Sequence, residues 1–527
     1  MPPEVQAGTK VPSGRSWLQA LLGVAMATLG AGAFLIGSSL EAGSATPVGD
    51  NVPINEGALL KTDINAHNSP AAVRNPVKPG NLVVVNRIDT PRFSCGMHIS
   101  TDGGGKWKDQ EIPFPVGEED PPRCFAPDAA FSSDGTLYVS FVTLIGPGNR
   151  PNALWLVSST DGGTTLSTPA RVLPSAPPFL FQSELTADPK IANRLYLSYL
   201  KADDTSNLAF PNTGNPIEFL RSDDGGATWI GPISVSPPSR QRVITPSTVV
   251  GPGGEVYMLY LDLGEDKLDY NGGHEGQGGL PYDGKWSLVL ARSKDGGENW
   301  QESVVDDQIV PIERFIIFFP SAPSLAVDQT TGRIYVAFHD GRLGSADVLL
   351  WTSTNGGKSF SKGQSLNDNP VKDGTAQYLP KIAVAPNGRV DVVYYDRQAD
   401  PKNIKNEVSL QSSVNGDTPF GPRIRLTDPG KSFSSEIGFG SERKMPDLGS
   451  RLGLVSTDTS TLAVWTDTRG GTEASNKQDL GRAVVAFSKE SPARDPLRIG
   501  GPILIIVGLV ILMMWAAGGR RKADRAG

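Results

Sequence analysis

An eight-residue phrase occurs five times along the chain, and this repetition constrains the fold more than any other feature of the sequence. Each copy begins with Ser and has Asp or Asn followed by two Gly at its centre, and four of the five end in an aromatic residue. Self-similarity at a regular spacing is typical of a protein built from repeated structural units. The copies are Ser100–Trp107, Ser159–Leu166, Ser222–Trp229, Ser293–Trp300 and Ser353–Phe360, with a degenerate sixth at Ser413–Phe420.

The chemistry of the phrase predicts a tight turn in a β-hairpin. An Asp or Asn side chain accepts hydrogen bonds from nearby backbone N–H groups, Gly supplies positive φ, and the aromatic residue anchors the returning strand. An alternating apolar segment precedes each copy, as at residues 348–352. We therefore interpret the central acidic residues as turn formers rather than as catalytic or calcium-binding groups. They are Asp102, Asp161, Asp224 and Asp295.

Two further elements repeat ahead of each turn. One is a strand that ends in an aromatic residue, as at 137–141 and 256–260, with a looser copy at 82–85. The other is a shorter segment with a recurring Pro, as at 126–129. With the strand that follows the turn, each unit has four strands, and seven units follow one another at intervals of about 55 to 78 residues. Four-stranded units of this period are the blades of a β-propeller, which protects its sheet edges by radial repetition.

The sequence thus predicts an all-β protein with a single β-propeller over residues 69–490, with seven blades favoured and six possible. Residues 46–68 form a linker that could supply the last strand of the seventh blade and close the ring. The content of 60 Gly and 43 Pro fits this prediction, because both residues interrupt helices and form turns.

Charge and composition exclude several functions. With 49 Lys and Arg against 56 Asp and Glu the net charge is -7, and no basic stretch lies inside the body, so we expect no nucleic-acid partner. Two Cys and four His, far apart in sequence, exclude a Cys/His metal module, and we predict no cofactor. An oxygen-ligated cation is conceivable in the acidic insertion 262–286, but the segment lacks the alternating acidic spacing of an EF-hand-like loop, and a mobile acidic insertion is the favoured interpretation. The acidic residues of the insertion are Asp262, Glu265, Asp266, Asp269 and Glu275.

Both ends of the chain have the pattern of membrane segments. Residues 17–40 are uncharged and follow Lys10 and Arg15, so residues 1–45 are predicted to be a cytoplasmic n-region with a signal peptide or an uncleaved signal anchor. After a linker at 491–498, residues 499–517 are long and apolar enough to cross a bilayer, and the tail at 518–527 is basic. Both basic flanks then lie in the cytoplasm and the propeller outside the cell membrane. In that compartment we expect a disulfide between Cys95 and Cys124.

The Ser-x-Asp-x-Gly-x-x-Trp phrase resembles the Asp-box (BNR) repeat of the sialidase superfamily, over roughly residues 60–490. The resemblance implies a β-propeller, with six blades in typical sialidases. It does not imply one activity, since Asp-box propellers include sialidases, other glycosidases, sorting receptors and assembly factors.

Sialidase-like sites lie on the face opposite the repeated turns, where second strands end and first strands begin. Four arginines, three carboxylates and one lysine of this face are predicted to bind a ligand, since guanidinium groups bind carboxylates in bidentate geometry. The alternative is that each Asp–Arg pair only fixes its own loop. The residues are Arg87, Arg342, Arg397, Arg469, Asp340, Asp396, Asp467 and Lys381.

Glycosidic cleavage would need an acid and a nucleophile, either two carboxylates or, as in sialidases, a Tyr with a partner Glu. The family's N-terminal Arg-Ile-Pro signature is absent, so no catalytic residue is assigned by resemblance. We therefore predict a membrane-anchored extracytoplasmic propeller that binds a glycan or a cell-surface protein, with a sialidase-like glycoside hydrolase as the alternative. The candidate catalytic residues are Asp128, Glu184, Tyr378, Tyr395 and Asp447.

Overall fold

The structure of the chain is a computed structural model, and it divides into two compact units. One consists of Met1–Thr46 with Ala486–Gly527, and the other is Pro47–Val485. The residues that the structure describes are 14–39, 45–60, 62–115, 122–147, 149–173, 179–202, 216–240, 242–268, 282–313, 320–413, 420–438, 447–488 and 494–523.

The larger unit is a seven-bladed β-propeller, as the repeat predicts, and each blade is an antiparallel sheet with its first strand innermost. Blade one has β2 (His67–Arg74), β3 (Leu82–Ile88), β4 (Ser94–Ser100) and β5 (Lys108–Asp109); blade two has β6 (Arg123–Phe131), β7 (Leu137–Ile145), β8 (Arg150–Ser159) and β9 (Ala170–Arg171). Blade three has β10 (Phe179–Ala187), β11 (Leu195–Ala202), β12 (Ile217–Ser222) and β13 (Ile230–Ser234); blade four has β14 (Val243–Val250), β15 (Val256–Asp262), β16 (Trp286–Ser293) and β17 (Gln301–Ile309).

The remaining blades follow the same order. Blade five has β18 (Ser324–Val327), β19 (Ile334–Asp340), β20 (Asp347–Ser353) and β21 (Gln364–Ser365). Blade six has β22 (Gln377–Val384), β23 (Val390–Asp396), β24 (Lys405–Ser413) and β25 (Ile424–Arg425), and a short β26 (Phe433–Ser434) also pairs with β24. Blade seven has β27 (Gly453–Ser456), β28 (Ser460–Asp467) and β29 (Asp479–Phe487).

The ring closes through a strand from the beginning of the chain. Strand β1 (Ala45–Pro53) pairs with β29 and is the outermost strand of blade seven. Just after it, the Ile54 N–H donates to the Leu480 carbonyl at 2.8 Å. A 3₁₀ turn follows at Glu56–Leu59, and the Lys477 ammonium donates to three carbonyls around it, those of residues 57, 58 and 60. The first and last strands of the propeller therefore share one sheet.

The repeated phrase forms a hydrogen-bonded turn between the third and fourth strands of a blade. In blade three, the Ser222 hydroxyl accepts the Gly226 N–H at 2.8 Å, and the Asp224 carboxylate accepts the Thr228 N–H at 2.9 Å. Gly226 has a φ of +88°, which Gly adopts without strain. The other four copies have the same two bonds. The central Asp and Asn residues thus satisfy backbone donors, as predicted; the sixth copy lies mostly outside the described residues.

The recurring Pro marks a β-bulge inside the innermost strand. The sequence placed it at the start of the first strand, but Pro127, Pro246 and Pro380 lie within β6, β14 and β22. In these blades the residue before Pro has a φ near +50°, and the pairing with the second strand shifts there. Pro fits at this point because the innermost strand is a sheet edge, where a missing N–H removes no ladder bond.

The core lies between the blades, and the aromatic ends of the second strands fill it. These side chains are at most 2% exposed, so each contributes most of its apolar surface to the contact between neighbouring sheets. They are Phe141, Tyr199, Tyr260, Phe338, Tyr394 and Trp465. Between blades one and two, a disulfide joins Cys95 of β4 to Cys124 of β6.

The smaller unit contains two helices that pack against each other, α1 (Gly14–Ser39) and α2 (Arg494–Ala523). The backbones approach closely at Gly23 and Gly30, where an added Cβ would collide with α2. In α2 the 18 residues Gly500–Ala517 have a mean hydropathy of 2.3, long and apolar enough to cross a membrane. The apolar segment of α1, Trp17–Ala33, is shorter.

Candidate functional site

A cavity of about 690 Å³ runs along the innermost strands of the propeller. One end is lined by Arg87, Phe93, Phe125 and Asp447, on the face where second strands end and first strands begin. We call this end the mouth and the whole cavity the channel. Of the residues predicted from sequence, Arg87, Asp128, Glu184, Lys381 and Asp447 line the channel.

At the mouth a buried ion-pair cluster meets two aromatic rings. The Arg87 guanidinium contacts Asp89 and Asp447, each at 2.6 Å, and lies over the Phe125 ring at 5.2 Å. Phe93 meets Phe125 edge to face at 5.8 Å, and both rings are partly exposed. Arg87 and Asp447 therefore form one unit across blades one and seven, as the sequence grouped them. The two Phe residues were not predicted, because nothing in their local pattern separates them from core aromatics.

Seven side chains form a ring deeper in the channel, one from each blade. In blades one, two, three, four and six they follow the bulge by two residues, because these innermost strands share its geometry. In blade seven Arg451 follows the left-handed Gly449 by two residues, and Ser324 occupies the place in blade five. Two acids lie on blades two and three, and two bases on blades six and seven. The ring residues are Ala71, Asp128, Glu184, Ser247, Ser324, Lys381 and Arg451.

Three of the ring residues join neighbouring innermost strands. The Asp128 carboxylate accepts the Leu185 N–H at 2.8 Å, the Glu184 carboxylate accepts the Thr248 N–H at 2.7 Å, and the Ser324 hydroxyl accepts the Ile382 N–H at 3.0 Å. In these three cases a blade accepts a hydrogen bond from an N–H group at the edge of the next blade. Such donors would otherwise be buried without a partner, at a cost of about 1–3 kcal/mol each.

The two acids of the ring differ in their electrostatic surroundings. Asp128 pairs with Arg451 at 3.4 Å, whereas Glu184 has no ion pair within 4 Å among the described residues. Burial, with a further contribution from Asp128, raises the pKa of Glu184 to about 7, although Lys381, the Thr248 N–H and Arg451 oppose the shift. Glu184 thus changes its charge near neutral pH, whereas Asp and Glu in water do so only at acidic pH.

The other three predicted arginines lie outside the channel and are held within the propeller. Arg342 pairs with Asp340 at 2.7 Å and with Asp306 of the preceding blade at 2.9 Å. Arg469 pairs with Asp467 of its own loop and approaches Asp428 at 3.8 Å. The structure therefore does not bring these arginines together with Arg87 in one funnel.

Arg397 is buried, and its partner is not the adjacent Asp396. Its guanidinium donates to Asn406 at 2.9 Å and to the Asn403 carbonyl at 2.6 Å, and it lies over the Tyr378 ring at 5.0 Å. Asp396 instead pairs with Arg423 at 2.8 Å.

The candidate tyrosines are also buried outside the channel. The Tyr378 hydroxyl donates to Asn406 at 2.7 Å, and the Tyr395 hydroxyl accepts the Thr466 N–H at 3.0 Å. Burial raises the pKa of both phenols, which keeps them neutral. A Tyr–Glu pair does occur in blade four, where Tyr260 bonds to Glu302, but Tyr260 is fully buried and neither residue lines the channel.

The acidic insertion of blade four is described only at its two ends. Asp262 pairs with Arg240 at 2.8 Å, and the buried Asp266 accepts the Trp286 indole N–H at 3.0 Å. Glu265 is exposed and lies 3.7 Å from Arg242. Asp269 and Glu275 lie outside the described residues, and no group of three potential metal ligands occurs among the residues that are described.

Three charged residues of the channel were not predicted from the sequence, Arg74, Asp89 and Arg451, and Arg451 is the one that belongs to the ring. The recurring-Pro pattern aligned residues 445–448 with the bulges, whereas the structure gives Gly449 the left-handed conformation, with a φ of +86°. In blade seven Gly449 takes the position that the residue before Pro has in other blades, so the Pro pattern does not identify which residues of this blade are equivalent to theirs. Arg451 therefore occupies the ring, and Asp447 lies at the mouth.

The sequence matches no family model and no curated protein. Among solved structures, a Dyadobacter fermentans protein of unknown function is 16% identical, with a TM-score of 0.46, over 84% of this chain and 99% of that one. The Penicillium chrysogenum alpha-L-arabinanase complexed with arabinobiose is 13% identical, with a TM-score of 0.40, over 84% and 98% of the two chains. The phage phi92 endosialidase is 10% identical, with a TM-score of 0.43, over 85% and 70%.

Proposed function

We propose that this protein is a membrane-anchored, extracytoplasmic β-propeller that binds a glycan at the mouth of its channel. The observation that carries the proposal is the mouth itself, where the partly exposed rings of Phe93 and Phe125 adjoin the Arg87–Asp447 pair. A concave site that combines aromatic faces with a few fixed polar groups is the usual design for small-molecule recognition, and 690 Å³ is within the normal size range.

Binding, rather than bond cleavage, follows from how the candidate catalytic groups are used. Asp128 and Asp447 are ion-paired, and Tyr378 and Tyr395 are hydrogen-bonded and buried away from the channel. A nucleophile or acid must instead reach the substrate. The resemblance of the repeated turns to Asp-box propellers is compatible with either role.

The test is glycan binding by the full chain in detergent, first on an array and then by titration with each hit. Truncation of Phe125 to Ala should weaken binding about fivefold to thirtyfold, since an aromatic contact of this kind contributes about 1–2 kcal/mol. The matched control is Ile230→Ala, which removes a 45% exposed apolar side chain from the outer strand β13. Equal affinity of wild type and Phe125→Ala would contradict the proposed site.

Glycoside hydrolysis is a second candidate, favoured by the pKa of about 7 at Glu184 beside Asp128. A carboxyl group with a raised pKa, close to a second carboxyl group in one cavity, is what an acid-catalysed glycosidase uses. The assay is turnover of fluorogenic sialosides and neutral glycosides, by wild type and Glu184→Gln. Turnover that Glu184→Gln abolishes would establish this activity, and the absence of turnover together with glycan binding would exclude it.

Membrane anchoring is supported by α2, whose apolar segment is followed by Arg520, Arg521 and Lys522. The disulfide supports an extracytoplasmic propeller, since thiols stay reduced in the cytosol. Whether α1 is cleaved stays open, and N-terminal sequencing of the mature protein decides it. Protease added to intact cells should degrade the propeller and leave an α2 fragment, whereas full protection would place the propeller inside.

A further inference from the structure

Most of the charges that line the channel have a partner within the protein. Arg87 contacts Asp89 and Asp447, and Arg451 contacts Asp128. At the far end Arg74 donates to the Pro79 carbonyl. Apart from Arg74, two charges of the channel have no ion pair among the described residues, those of Glu184 on blade three and Lys381 on blade six.

Glu184 and Lys381 act on each other across the channel without touching. They are farther apart than the 4 Å of an ion pair, yet the Lys381 ammonium opposes the rise in the pKa of Glu184. One carboxylate oxygen of Glu184 holds the Thr248 N–H. A charge removed from water is costly unless an opposite charge or hydrogen bonds replace its hydration. Each of the two therefore needs a group that the described chain does not supply.

Two buried hydroxyls belong to residues that line the channel on blades three and four. Ser183 is 5% exposed and Thr245 is 2% exposed, and both line the channel. Neither hydroxyl oxygen has a hydrogen-bond partner among the described residues. Buried polar groups in native proteins are nearly always satisfied, so the wall of the channel holds unused hydrogen-bonding capacity as well as unpaired charge.

We propose that the channel between Glu184 and Lys381 binds a zwitterionic group, with an ammonium facing Glu184 and a carboxylate facing Lys381. A ligand of this kind neutralises both charges at once, whereas a neutral sugar would leave both unpaired. This inference rests on the proposed function, because it takes the channel as the ligand site and specifies the chemistry bound below the mouth.

The probes are ω-amino acids of increasing length, from glycine through 4-aminobutanoate to 6-aminohexanoate, with butylamine and butanoate as single-charge controls. Affinity for the full chain in detergent is measured by calorimetry and by the rise in Tm. We expect one chain length to bind best and to bind at least tenfold more tightly than either control. No zwitterion binding at millimolar concentration, or equal binding of butylamine, would overturn the proposal.

Variants locate the site. Glu184→Gln and Lys381→Met should each weaken the best zwitterion at least tenfold, while the exposed-site controls Glu111→Gln and Lys362→Met leave it unchanged. If a single variant misfolds, the double exchange Glu184→Lys with Lys381→Glu restores one charge of each sign and should bind the zwitterion in the opposite orientation. Unchanged affinity in both single variants would refute the assignment.

The two proposals fail separately. Phe125→Ala should weaken glycan binding and leave zwitterion binding intact. Glycan binding without zwitterion binding contradicts only the inner site, and the reverse result contradicts only the glycan site at the mouth.

Discussion

Arg451 of the seventh blade reaches past the first blade to pair with Asp128 of the second, at 3.4 Å. It can do so because the ring residue of the first blade is Ala71, whose side chain leaves the path open. Arg451 also donates to the carbonyls of Ser69 and Pro127, so one side chain fastens three blades where the ring closes.

Two variants of Asp128 distinguish the contribution of its hydrogen bond from that of its ion pair. Asp128→Asn keeps an acceptor for the Leu185 N–H but loses the charge that faces Arg451, whereas Asp128→Ala loses both. We expect a loss of about 1–2 kcal/mol in the free energy of unfolding for Asn and about 2–4 kcal/mol for Ala. Urea unfolding measures both, with the exposed Asp458→Asn as control. Equal losses for Asn and Ala would assign no role to the hydrogen bond.

The repeated turns require Gly for two separable reasons. Gly226 of a repeated turn has a φ of +88°, and Gly254, in the turn between β14 and β15, has a φ of +84° and serves for comparison. An added Cβ at Gly226 would overlap Leu156, while one at Gly254 meets nothing within 4 Å. Gly254→Ala should therefore cost only the backbone strain, about 1–2 kcal/mol. Gly226→Ala should cost at least twice as much because it adds the steric overlap. Thermal unfolding of the two variants gives the comparison, and similar Tm values would show that Leu156 moves aside.

The disulfide should stabilise the contact between blades one and two. Cys95 and Cys124 are 29 residues apart, so their bond removes about 3–4 kcal/mol of chain entropy from the unfolded state. Reduction by dithiothreitol should lower Tm, and the double variant Cys95→Ser with Cys124→Ser should have the Tm of the reduced protein. A reductant effect that persists in the double variant would have another origin.

The stability of the fold should depend on pH through Glu184. Burial raises the pKa of Glu184 from 4.5 to about 7, so the folded protein holds this proton more tightly than the unfolded chain. The stability associated with this proton is complete below pH 4.5 and is lost as pH rises through 7, by about 1–3 kcal/mol after allowance for partial exposure. Glu184→Gln should remove this loss, so the gap between variant and wild type should grow between pH 5 and pH 8.

Buried histidines do not obscure that comparison. Burial lowers the pKa of His67 and of His339 to about 3, so both destabilise the fold only as pH falls below their ordinary value of 6.5. They are the same in wild type and Glu184→Gln, and Glu111→Gln controls for the change of one carboxylate. A constant difference between wild type and Glu184→Gln across the range would mean that Glu184 has an ordinary pKa.

The repeat made the propeller and its turns predictable, because local hydrogen bonds and alternating apolar residues determine both. The choice of ion-pair partner was not predictable in the same way. Arg342 forms an ion pair with Asp306 of another blade. Arg397 donates a hydrogen bond to Asn406 instead of pairing with its neighbour Asp396. Such choices depend on how blades dock. Asp128, Glu184 and Lys381 could be grouped from sequence because they follow the same bulge, but Arg451 could not, since Gly449 replaces the usual residue before Pro.

The pairing of β1 with β29 also sets an order of events during synthesis. The strand at Ala45–Pro53 leaves the ribosome more than 400 residues before its partner at Asp479–Phe487 exists. At about 5–20 residues per second, this edge waits on the order of 20–80 seconds without a partner. Its Pro residues at 47 and 53 suit a segment that must avoid premature pairing until the final blade arrives.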